Sequence, residues 1–341
     1  IVNMVVSIFL IYIGAGVLFV KAVATGVYML RLVLVKIYAK RKYPALDFYA
    51  EPNEGALKQK NAALLHQVVG IIVNNTDTTV LTICLGAKSL LEVSVYGIYM
   101  MVVNAVNQLM TSFSNGLTAG FGEVIAKNEE ETLKKSYSSY EYMYFVIMFI
   151  VIACMGVLIL PFVGVYTINL TDVQYVRPVL GILFTLIVFM QNVRIPGLTI
   201  ICAAGHYKET RYQAILEAVI NITVSLGLVW KFGMAGVLLG TVCSYGYRSF
   251  EIVFYTSRHL VKGCAKKSMF RILRNVFTVA ILCTVGTYVI PQEITSFTTW
   301  FLYAIGMGLT SVFLVVVINY VVEPDEFMQL RHRVNDIIKK E

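Results

Sequence analysis

Charged residues are scarce in this chain of 341 residues: Asp, Glu, Lys and Arg together make up 14% of it, whereas hydrophobic residues make up 58%. Soluble globular proteins carry about a quarter charged residues, so the composition argues against a soluble protein. The chain has only four histidines, and its six cysteines form no CxxC pair and no Cys/His cluster. We therefore expect no metal site, disulfide or cofactor, and interpret the cysteines as small core residues.

The chain also lacks a GxxxxGK[ST] phosphate-binding loop, which argues against ATP hydrolysis. Its net charge of +8 does not indicate nucleic-acid binding, because the basic residues lie between apolar segments rather than in one patch. There is no signal-peptide pattern, and the sequence opens on Ile1 inside an apolar stretch. We therefore expect a fragment that has lost N-terminal spans.

Long apolar segments are what the sequence has in abundance. A window of about 20 apolar residues can cross roughly 30 Å of hydrocarbon. We predict one partial span at 1–13 and nine complete spans, and hence an all-α polytopic membrane protein. The complete spans are predicted at 15–38, 64–86, 91–115, 142–167, 178–204, 212–230, 234–256, 273–291 and 298–322.

The loops between these spans differ in positive charge. One alternating set, which includes the C-terminal tail, carries 21 lysines and arginines, whereas the other carries only Lys88, Arg177 and Lys231. Because cytoplasmic loops carry the excess of Lys and Arg, the first set and the C-terminus are predicted to be cytoplasmic.

One of the predicted cytoplasmic stretches, EVIAKNEEETLKKSYSSYEYMYF, mixes charges of both signs and ends in a run of tyrosines. We interpret it as a surface helix that leads into an interfacial aromatic belt. Binding of lipid headgroups or of a partner enzyme is the alternative. The tyrosines are Tyr137, Tyr140, Tyr142 and Tyr144.

The polar run VNNTDTTV interrupts the predicted span 64–86 and places Asp77 near its middle. A carboxylate at that depth costs about 3 kcal/mol on insertion scales, so Asp77 is expected to face a cavity. It either binds a coupling cation or proton, balances an arginine in the same cavity, or is hydrogen-bonded to neighbouring hydroxyls at a local unwinding. The same sector of the helix holds His66, Gly70, Asn74 and Cys84.

Arg194 lies deep in its span, roughly 16 Å from the predicted cytoplasmic end of the helix. Pro196 cannot donate to the carbonyl of Asn192, and Gly197 is expected to loosen the helix further, so the helix is predicted to break here. A broken helix at bilayer depth is tolerated only where neighbours or a wet cavity satisfy the freed backbone. Together with Gln191, these residues form a candidate site for one anionic ligand.

Three further cations lie inside the predicted spans, at Lys21, Arg31 and Arg248. Arg31 is close enough to the end of its span for its side chain to snorkel, and Lys21 lies at a similar distance from the other end. Arg248 and Glu251 are three residues apart on one helix face, so they either satisfy each other or serve a substrate. Glu217 is predicted to be shallower and to reach the interface.

Several strings, taken in order, resemble a known family. They are KRKYPAL at 40–46, NNTD at 74–77, and NVRIPGLTIICAAGHYKETRYQAILEAVINITVSLGLVWKFGMAGVLLGTVCSYGYR at 192–248. They look like the multidrug/oligosaccharidyl-lipid/polysaccharide (MOP) exporter superfamily, and most like its Wzx-type polysaccharide-unit flippases.

The resemblance implies a MATE-like architecture, in which two pseudo-symmetric six-helix bundles surround a central cavity. Two extra helices often follow at the C-terminal end. The implied segments are 1–38 as the last helix or two of the first bundle, 39–63 as a cytoplasmic linker, 64–256 as the second bundle, 257–272 as a cytoplasmic loop, 273–322 as the extra helix pair and 323–341 as a cytoplasmic tail.

The implied function is translocation of polyprenyl-diphosphate-linked oligosaccharide repeat units from the cytoplasmic to the outer leaflet of the plasma (inner) membrane. Transport would proceed by alternating access, without enzymatic chemistry, and would serve surface polysaccharide assembly. Membrane lipids, H⁺ or Na⁺, and polysaccharide-assembly proteins are the other expected partners.

The residue chemistry suits such a ligand, because arginine binds phosphate oxygens bidentately and amides bind sugar hydroxyls. Asp77 would repel a diphosphate unless protonated or paired, so it is assigned to coupling. The substrate-binding candidates are Arg194, Arg31, Arg248, Lys21, Asn74, Thr78, Gln191 and Asn192.

Two other functions stay open. A cation-coupled multidrug exporter of the same superfamily would need acids to outnumber cations in the cavity, whereas the deep cations at least match the acids in this sequence. A membrane polysaccharide polymerase or acyltransferase belongs to a different class. A polymerase would carry a large outer loop, and none is visible in the sequence. An acyltransferase would need a histidine inside the membrane, and His66 is the only histidine near a predicted span.

Overall fold

The computed structural model of the protein describes residues 2–44, 59–291 and 294–328. Over these ranges the chain is helical and contains no strand. It divides into two compact units, Ile1–Lys58 and Gln59–Glu341.

The first unit consists of α1 (Val2–Tyr12) and α2 (Val17–Lys42). These helices cover the predicted spans 1–13 and 15–38. Three cations occupy the last turn of α2, where the helix dipole favours positive charge. Most of the predicted linker 39–63, at 45–58, lies outside the described residues, and its two ends continue α2 and begin the next helix.

Ten α-helices of the second unit, α3 to α12, lie within the described residues, in addition to short helical segments at 86–88 and 324–328. They are α3 (Lys60–Cys84), α4 (Ser89–Ser114), α5 (Leu117–Ala126), α6 (Glu130–Tyr166), α7 (Pro178–Val193), α8 (Ile195–Ala203), α9 (Arg211–Phe232), α10 (Met234–His259), α11 (Ala265–Val289) and α12 (Phe297–Val322). All nine complete spans predicted from the sequence coincide with helices of the two units, although the span 178–204 is made of two, α7 and α8.

Seven helical segments within the described ranges are long and apolar enough to cross a membrane. They are Val17–Lys42, Gly86–Ala126, Glu130–Tyr166, Pro178–Ala203, Arg211–Phe232, Ala265–Val289 and Phe297–Val322. The helices α3 and α10 are as long but are not among the seven. The polar residues singled out from the sequence, Asp77 and Arg248, lie on these two helices.

Five helices of the second unit pack against α10: α3, α7, α8, α9 and α11. The turn at Gly233 (φ 57°) folds α9 back onto α10, and α3 packs against both. On another side α7 contacts α10, α4 and α6, and the rings of Tyr99 and Phe184 stack with their centroids 5.0 Å apart. Both α11 and α12 pack on α6.

The four tyrosines of α6 do not form an interfacial belt. All four are buried, and three of them donate hydrogen bonds inside the protein. Tyr144 donates to Asn192 (2.9 Å) and Tyr137 to Glu141 (3.2 Å), while Tyr140 lies 3.2 Å from Ser114 Oγ. The prediction of a belt is wrong because α6 runs unbroken from Glu130 and is covered by its neighbours over this stretch.

The loops with little positive charge gather at one end of this unit. Arg177 binds Glu92 through two hydrogen bonds of 2.8 and 3.0 Å. The same two residues, Lys88 and the 232–233 turn line a surface cavity of about 420 Å³. Every second loop along the chain from α3 to α10 therefore lies at the same end of the unit, as is required when successive helices cross a membrane in opposite directions.

A network of charges joins α6, α11 and the segment after α12 near the opposite ends of these helices. Arg271 is fully buried and donates to Glu141 (3.0 Å) and Glu323 (3.0 Å). Lys267 binds Glu326 (2.6 Å) in the short helical segment 324–328. The buried pair of Arg271 and Glu141 is costly to break, because removing one partner leaves an uncompensated charge.

This network makes the stability of the protein sensitive to acid. Burial by itself raises the pKa of Glu326, but hydrogen bonds from Lys267 and Ser138, with the charges of Lys267 and Arg271, outweigh it, so that the pKa lies below 4.5. The ionised carboxylate therefore contributes stability above pH 4.5, and this contribution is lost as the pH falls through the lowered pKa.

We expect the thermal unfolding midpoint of the wild type to fall on acidification more steeply than that of Glu326→Gln, and the two to converge at low pH. Glu131→Gln, which alters an exposed carboxylate on the same side of the protein, should follow the wild type. Parallel curves for wild type and Glu326→Gln would show that Glu326 does not contribute in this way.

Candidate functional site

The predicted helix break is present at Arg194. Helix α7 ends at Val193 and α8 begins at Ile195, with Pro196 in its first turn. The regular backbone hydrogen bonds of α8 begin with the amide of Leu198, which donates to the carbonyl of Arg194 (2.9 Å). Arg194 thus sits where two helices meet, with its side chain projecting from the junction.

Gly197 has a different role from the one predicted. It lies inside α8 rather than loosening it, and a Cβ added there would lie 2.6 Å from Cγ2 of Ile252 and 2.9 Å from Oγ1 of Thr256. Glycine therefore allows α8 to approach α10 closely, and α10 carries Arg248.

Replacement of Gly197 by alanine is expected to destabilise the protein by about 1–3 kcal/mol, because the new methyl group overpacks the contact between α8 and α10. The matched control is Gly246→Ala in α10, where an added Cβ has no atom within 4 Å. The control should be neutral or slightly stabilising, since alanine is the better helix former by about 0.5–1 kcal/mol. Thermal unfolding of the two variants measures the difference, and equal midpoints would contradict the packing role.

Two arginines and two carboxylates form a cluster next to the break. Arg194 donates to Glu217 of α9, and its guanidinium lies over the ring of Tyr245, 4.4 Å from the centroid. Arg248 of α10 binds Glu251 one turn along its own helix, and its Nε lies 3.6 Å from Glu217 Oε2. We call Arg194, Glu217, Arg248 and Glu251 the arginine cluster.

Glu217 links the two arginines of the cluster. It is buried, with 7% of its surface exposed, so the prediction that it reaches the interface is wrong. The cause is tertiary: α9 packs between α3 and α10, which turns this face of α9 inward. Of the two alternatives for Arg248, the ion pair with Glu251 is present, and Arg248 also lines a cavity together with Arg194, so a role toward a substrate stays open.

This cavity has a volume of about 410 Å³ and lies among α3, α7, α8, α9 and α10. Polar side chains from four of these helices and from the helix break line it. They include His66, Gln191, Arg194, Glu217, Tyr245 and Arg248. We call it the arginine cavity. His66 lies within 3.0 Å of the Tyr207 carbonyl and 3.3 Å of the Thr210 hydroxyl.

A second cavity, of about 370 Å³, adjoins the first, because Val73, Asn74, Gln191 and Tyr245 line both. Its wall is rich in side-chain amides and contains one carboxylate. The polar residues of this amide cavity are Asn74, Asp77, Asn104, Asn107, Gln191 and Thr241.

Asp77 is buried, with 4% of its surface exposed, and it lines the amide cavity. Its carboxylate accepts from Thr241 (2.7 Å) and Tyr96 (3.3 Å). Asn221 in turn donates to Thr241 (3.0 Å), and the buried Oδ1 of Asn221 has no hydrogen-bond partner in the described part of the chain. The hydroxyl contacts come from neighbouring helices, and α3 is continuous, so there is no local unwinding.

The amide candidates divide into two groups. Asn74 accepts from Tyr245 (3.2 Å) and Gln191 from Asn107 (2.9 Å), and both line the cavities. Asn192 instead is buried against Tyr144 and Asn107 and lines neither cavity. Thr78 also lines neither cavity and donates to the Asn75 carbonyl of its own helix (3.1 Å). Asn192 and Thr78 thus lie outside both cavities, and their assignment to ligand binding stays a prediction.

The other two predicted cations, Lys21 and Arg31, lie on α2 in the first unit, where both are exposed. In the second unit the two cavities are lined by two arginines, Arg194 and Arg248, and by the carboxylates of Asp77 and Glu217, while Glu251 pairs with Arg248. The cations and acids that line the two cavities are therefore equal in number, and Glu251 is a third acid that pairs with Arg248 outside both linings. Both Arg194 and Asp77 have partners, but each lies beside a cavity.

Sequence reasoning missed several residues of the site. Tyr245 and Thr241 lie on the inner face of α10, and Tyr96, Asn104 and Asn107 lie on α4. The signal available in the sequence was spacing: Tyr245 precedes Arg248 by one turn, and Asn104 precedes Asn107 by one turn.

The described residues thus form an all-α protein with several membrane-length helices and a polar, charged site among them. No group of three His, Cys, Asp or Glu side chains is placed to hold a metal ion within these residues. No family model matches the chain, and no curated protein matches it significantly.

Proposed function

We propose that the protein is a lipid-linked oligosaccharide flippase of the MOP type. It moves a polyprenyl-diphosphate oligosaccharide from the cytoplasmic to the outer leaflet of the plasma (inner) membrane, without changing it covalently. The observation that carries this proposal is the arginine cavity, in which Arg194 at a helix break and Arg248 lie beside a second cavity lined with amides.

The two cavities match the two polar parts of such a ligand. Guanidinium groups bind phosphate oxygens through paired hydrogen bonds, and Arg194 and Arg248 line one wall of the first cavity together. Amide side chains both donate and accept, as sugar hydroxyls require, and Asn74, Asn107 and Gln191 line the second. Gln191 and Asn74 belong to both walls, so one ligand can occupy both cavities.

Asp77 is proposed to couple transport to H⁺ or Na⁺. It lies in the amide cavity, away from the arginine cluster, and has no cationic partner within the described residues. Thr241 donates to Asp77 and accepts from the amide nitrogen of Asn221, whose Oδ1 has no partner within the described residues, and hard cations take oxygen ligands. A cation or proton bound there would favour one packing of α3 against α9 and α10, which is how a bound ion biases alternating access.

In this proposal α3 to α10 form one six-span bundle of the transporter, and α11 and α12 are the additional pair. The first unit belongs to the other bundle. Positively charged loops face the cytoplasm, as their excess of Lys and Arg favours.

A cation-coupled multidrug exporter is the second candidate, and one observation favours it. Counted over the two cavities and the arginine cluster, the carboxylates of Asp77, Glu217 and Glu251 outnumber the two guanidinium groups. A surplus of acid suits a lipophilic cation better than a diphosphate.

The deciding experiment reconstitutes the protein in liposomes with a fluorescent polyprenyl-diphosphate oligosaccharide. The flippase proposal expects the label to become accessible to a membrane-impermeant quencher on the far leaflet, and the recovered lipid to have an unchanged mass. Parallel liposomes receive ethidium, a lipophilic cation. Ethidium export without glycolipid translocation would favour the exporter, and a changed lipid mass would indicate an enzyme.

A further inference from the structure

Glu217 already occupies the position that an anionic ligand would take. Its Oε1 accepts from Arg194, and its Oε2 lies 3.6 Å from Arg248 Nε. One carboxylate thus bridges the two guanidinium groups that face the arginine cavity. Within the described part of the chain, Glu217 is the acidic partner of Arg194.

The charge balance of the cluster prevents simple addition of a diphosphate. The two guanidinium groups of Arg194 and Arg248 are matched by the carboxylates of Glu217 and Glu251. The side chains of these four residues are at most 16% exposed, so water screens them weakly. Two further negative charges would meet a neutral cluster unless one carboxylate moves away or is protonated.

We propose that Glu217 is an exchangeable counter-ion: it holds Arg194 when the cavity is empty and gives it up, with uptake of a proton, when the diphosphate binds. This inference rests on the proposed flippase function and specifies how its binding site is regulated. When Glu217 ionises again, it competes with the ligand for Arg194 and promotes release.

Glu217 fits this role better than the other two acids. Glu251 lies three residues from Arg248 on the same helix and has no contact with Arg194, so its departure would not free the arginine at the helix break. Asp77 is held by Thr241 and Tyr96 on the wall of the other cavity. Glu217 comes from α9, a separate helix from those of both arginines, so it can separate from them as helices move.

Other ionisable groups face Glu217 from each element packed around it, and their protonation must be separated from its own. The arginines keep their charge at any accessible pH, whereas the imidazole of His66 on α3 is a second group that can take up a proton. The groups are His66 on α3, Arg194 at the break, and Tyr245, Tyr247, Arg248 and Glu251 on α10.

The test measures protons taken up as an anion binds. The probe is a short, water-soluble citronellyl-diphospho-glucose, a diphosphate diester whose two charges do not titrate near neutral pH. Calorimetric titration of the detergent-solubilised protein in two buffers of different ionisation enthalpy gives the proton number. We expect about one proton per ligand bound, and a Kd that rises about tenfold per pH unit where Glu217 is ionised.

Three variants identify the group that takes up the proton. Glu217→Gln should bind the probe more tightly at pH 8, by tenfold or more, with no proton uptake and a Kd independent of pH. His66→Gln is the matched control, because it removes a second group of the same cavity that can take up a proton, and it should leave the proton uptake in place. Glu251→Gln should also retain the proton uptake, since Glu217 is unchanged in it.

The outcomes separate this inference from the flippase proposal. Binding by the wild type without proton uptake overturns the role of Glu217 and leaves the flippase proposal standing. Proton uptake that persists in Glu217→Gln or disappears in His66→Gln also overturns that role. Failure of the wild type to bind the probe overturns both proposals. Because the proton number is measured on the wild type, absence of proton uptake overturns the role of Glu217 even if a variant fails to fold.

Discussion

Replacement of Arg194 by alanine is expected to abolish translocation of the lipid-linked oligosaccharide while membrane insertion stays intact. Arg194 lies at the break between α7 and α8 and lines the arginine cavity, so it is the cation most directly presented to a diphosphate. Loss of one partner of a buried charge pair between protein and ligand costs about 2–5 kcal/mol. For Arg194 and the diphosphate, this corresponds to a loss of affinity for the ligand of about 30-fold or more. Translocation in liposomes and binding of the diphosphate probe measure the two effects.

Three variants control for loss of folding in this prediction. Arg258→Ala removes an exposed arginine near the end of α10 and should leave transport unchanged. Arg194→Lys keeps the charge but loses the planar fork, and should be intermediate. In Arg194→Ala/Glu217→Ala the unpaired carboxylate is also removed, so the unfolding midpoint should recover while transport does not. Normal transport by Arg194→Ala would exclude Arg194 from the site.

Replacement of Asp77 by asparagine is expected to remove the response of transport to a pH or sodium gradient. Asparagine keeps the shape of aspartate and can still accept from Thr241, but it has no charge with which to bind a cation. The rate driven by the gradient should fall by about tenfold or more, within the usual range of coupling energies, while exchange without a gradient continues. Rates measured with and without an imposed gradient give the coupling.

The matched control for this prediction is Asp172→Asn. Asp172 is an exposed acid in the loop before α7, and its carboxylate accepts from Tyr175 (3.1 Å). Its replacement changes the same chemical group without touching either cavity, so the gradient response should stay as in the wild type. A variant Asp77→Asn that still responds fully to both gradients would reject the coupling role.

Several features of the site were predictable because they depend on a short stretch of chain. The break at Arg194 follows from Pro196, which lacks the donor that a continuous helix needs. The position of Asp77 beside a cavity was expected because a carboxylate in an otherwise apolar helix is costly unless it faces polar groups. The pairing of Arg248 with Glu251 follows from their spacing of three residues on one helix face.

The features that the sequence did not reveal involve two or more helices. The burial of Glu217 and the contact of Asn192 with Tyr144 were not foreseen, because their partners, Arg194 and Tyr144, lie 23 and 48 residues away along the chain. The four tyrosines of α6 look interfacial in a sequence that mixes charge with aromatic residues, but the packing of neighbouring helices buries them. Gly197 looks like a helix breaker and instead allows close contact with Ile252.

The local chemistry of this chain is enough to require helices of membrane length, because a segment in hydrocarbon has to satisfy its own backbone hydrogen bonds. It is also enough to locate the break at Arg194 and the acid at residue 77. Only the packing of α3, α7, α8, α9 and α10 decides which carboxylate meets which arginine, and which amides share a wall with Asp77. Those contacts depend on how separate helices approach and rotate against one another, which no window along the chain contains.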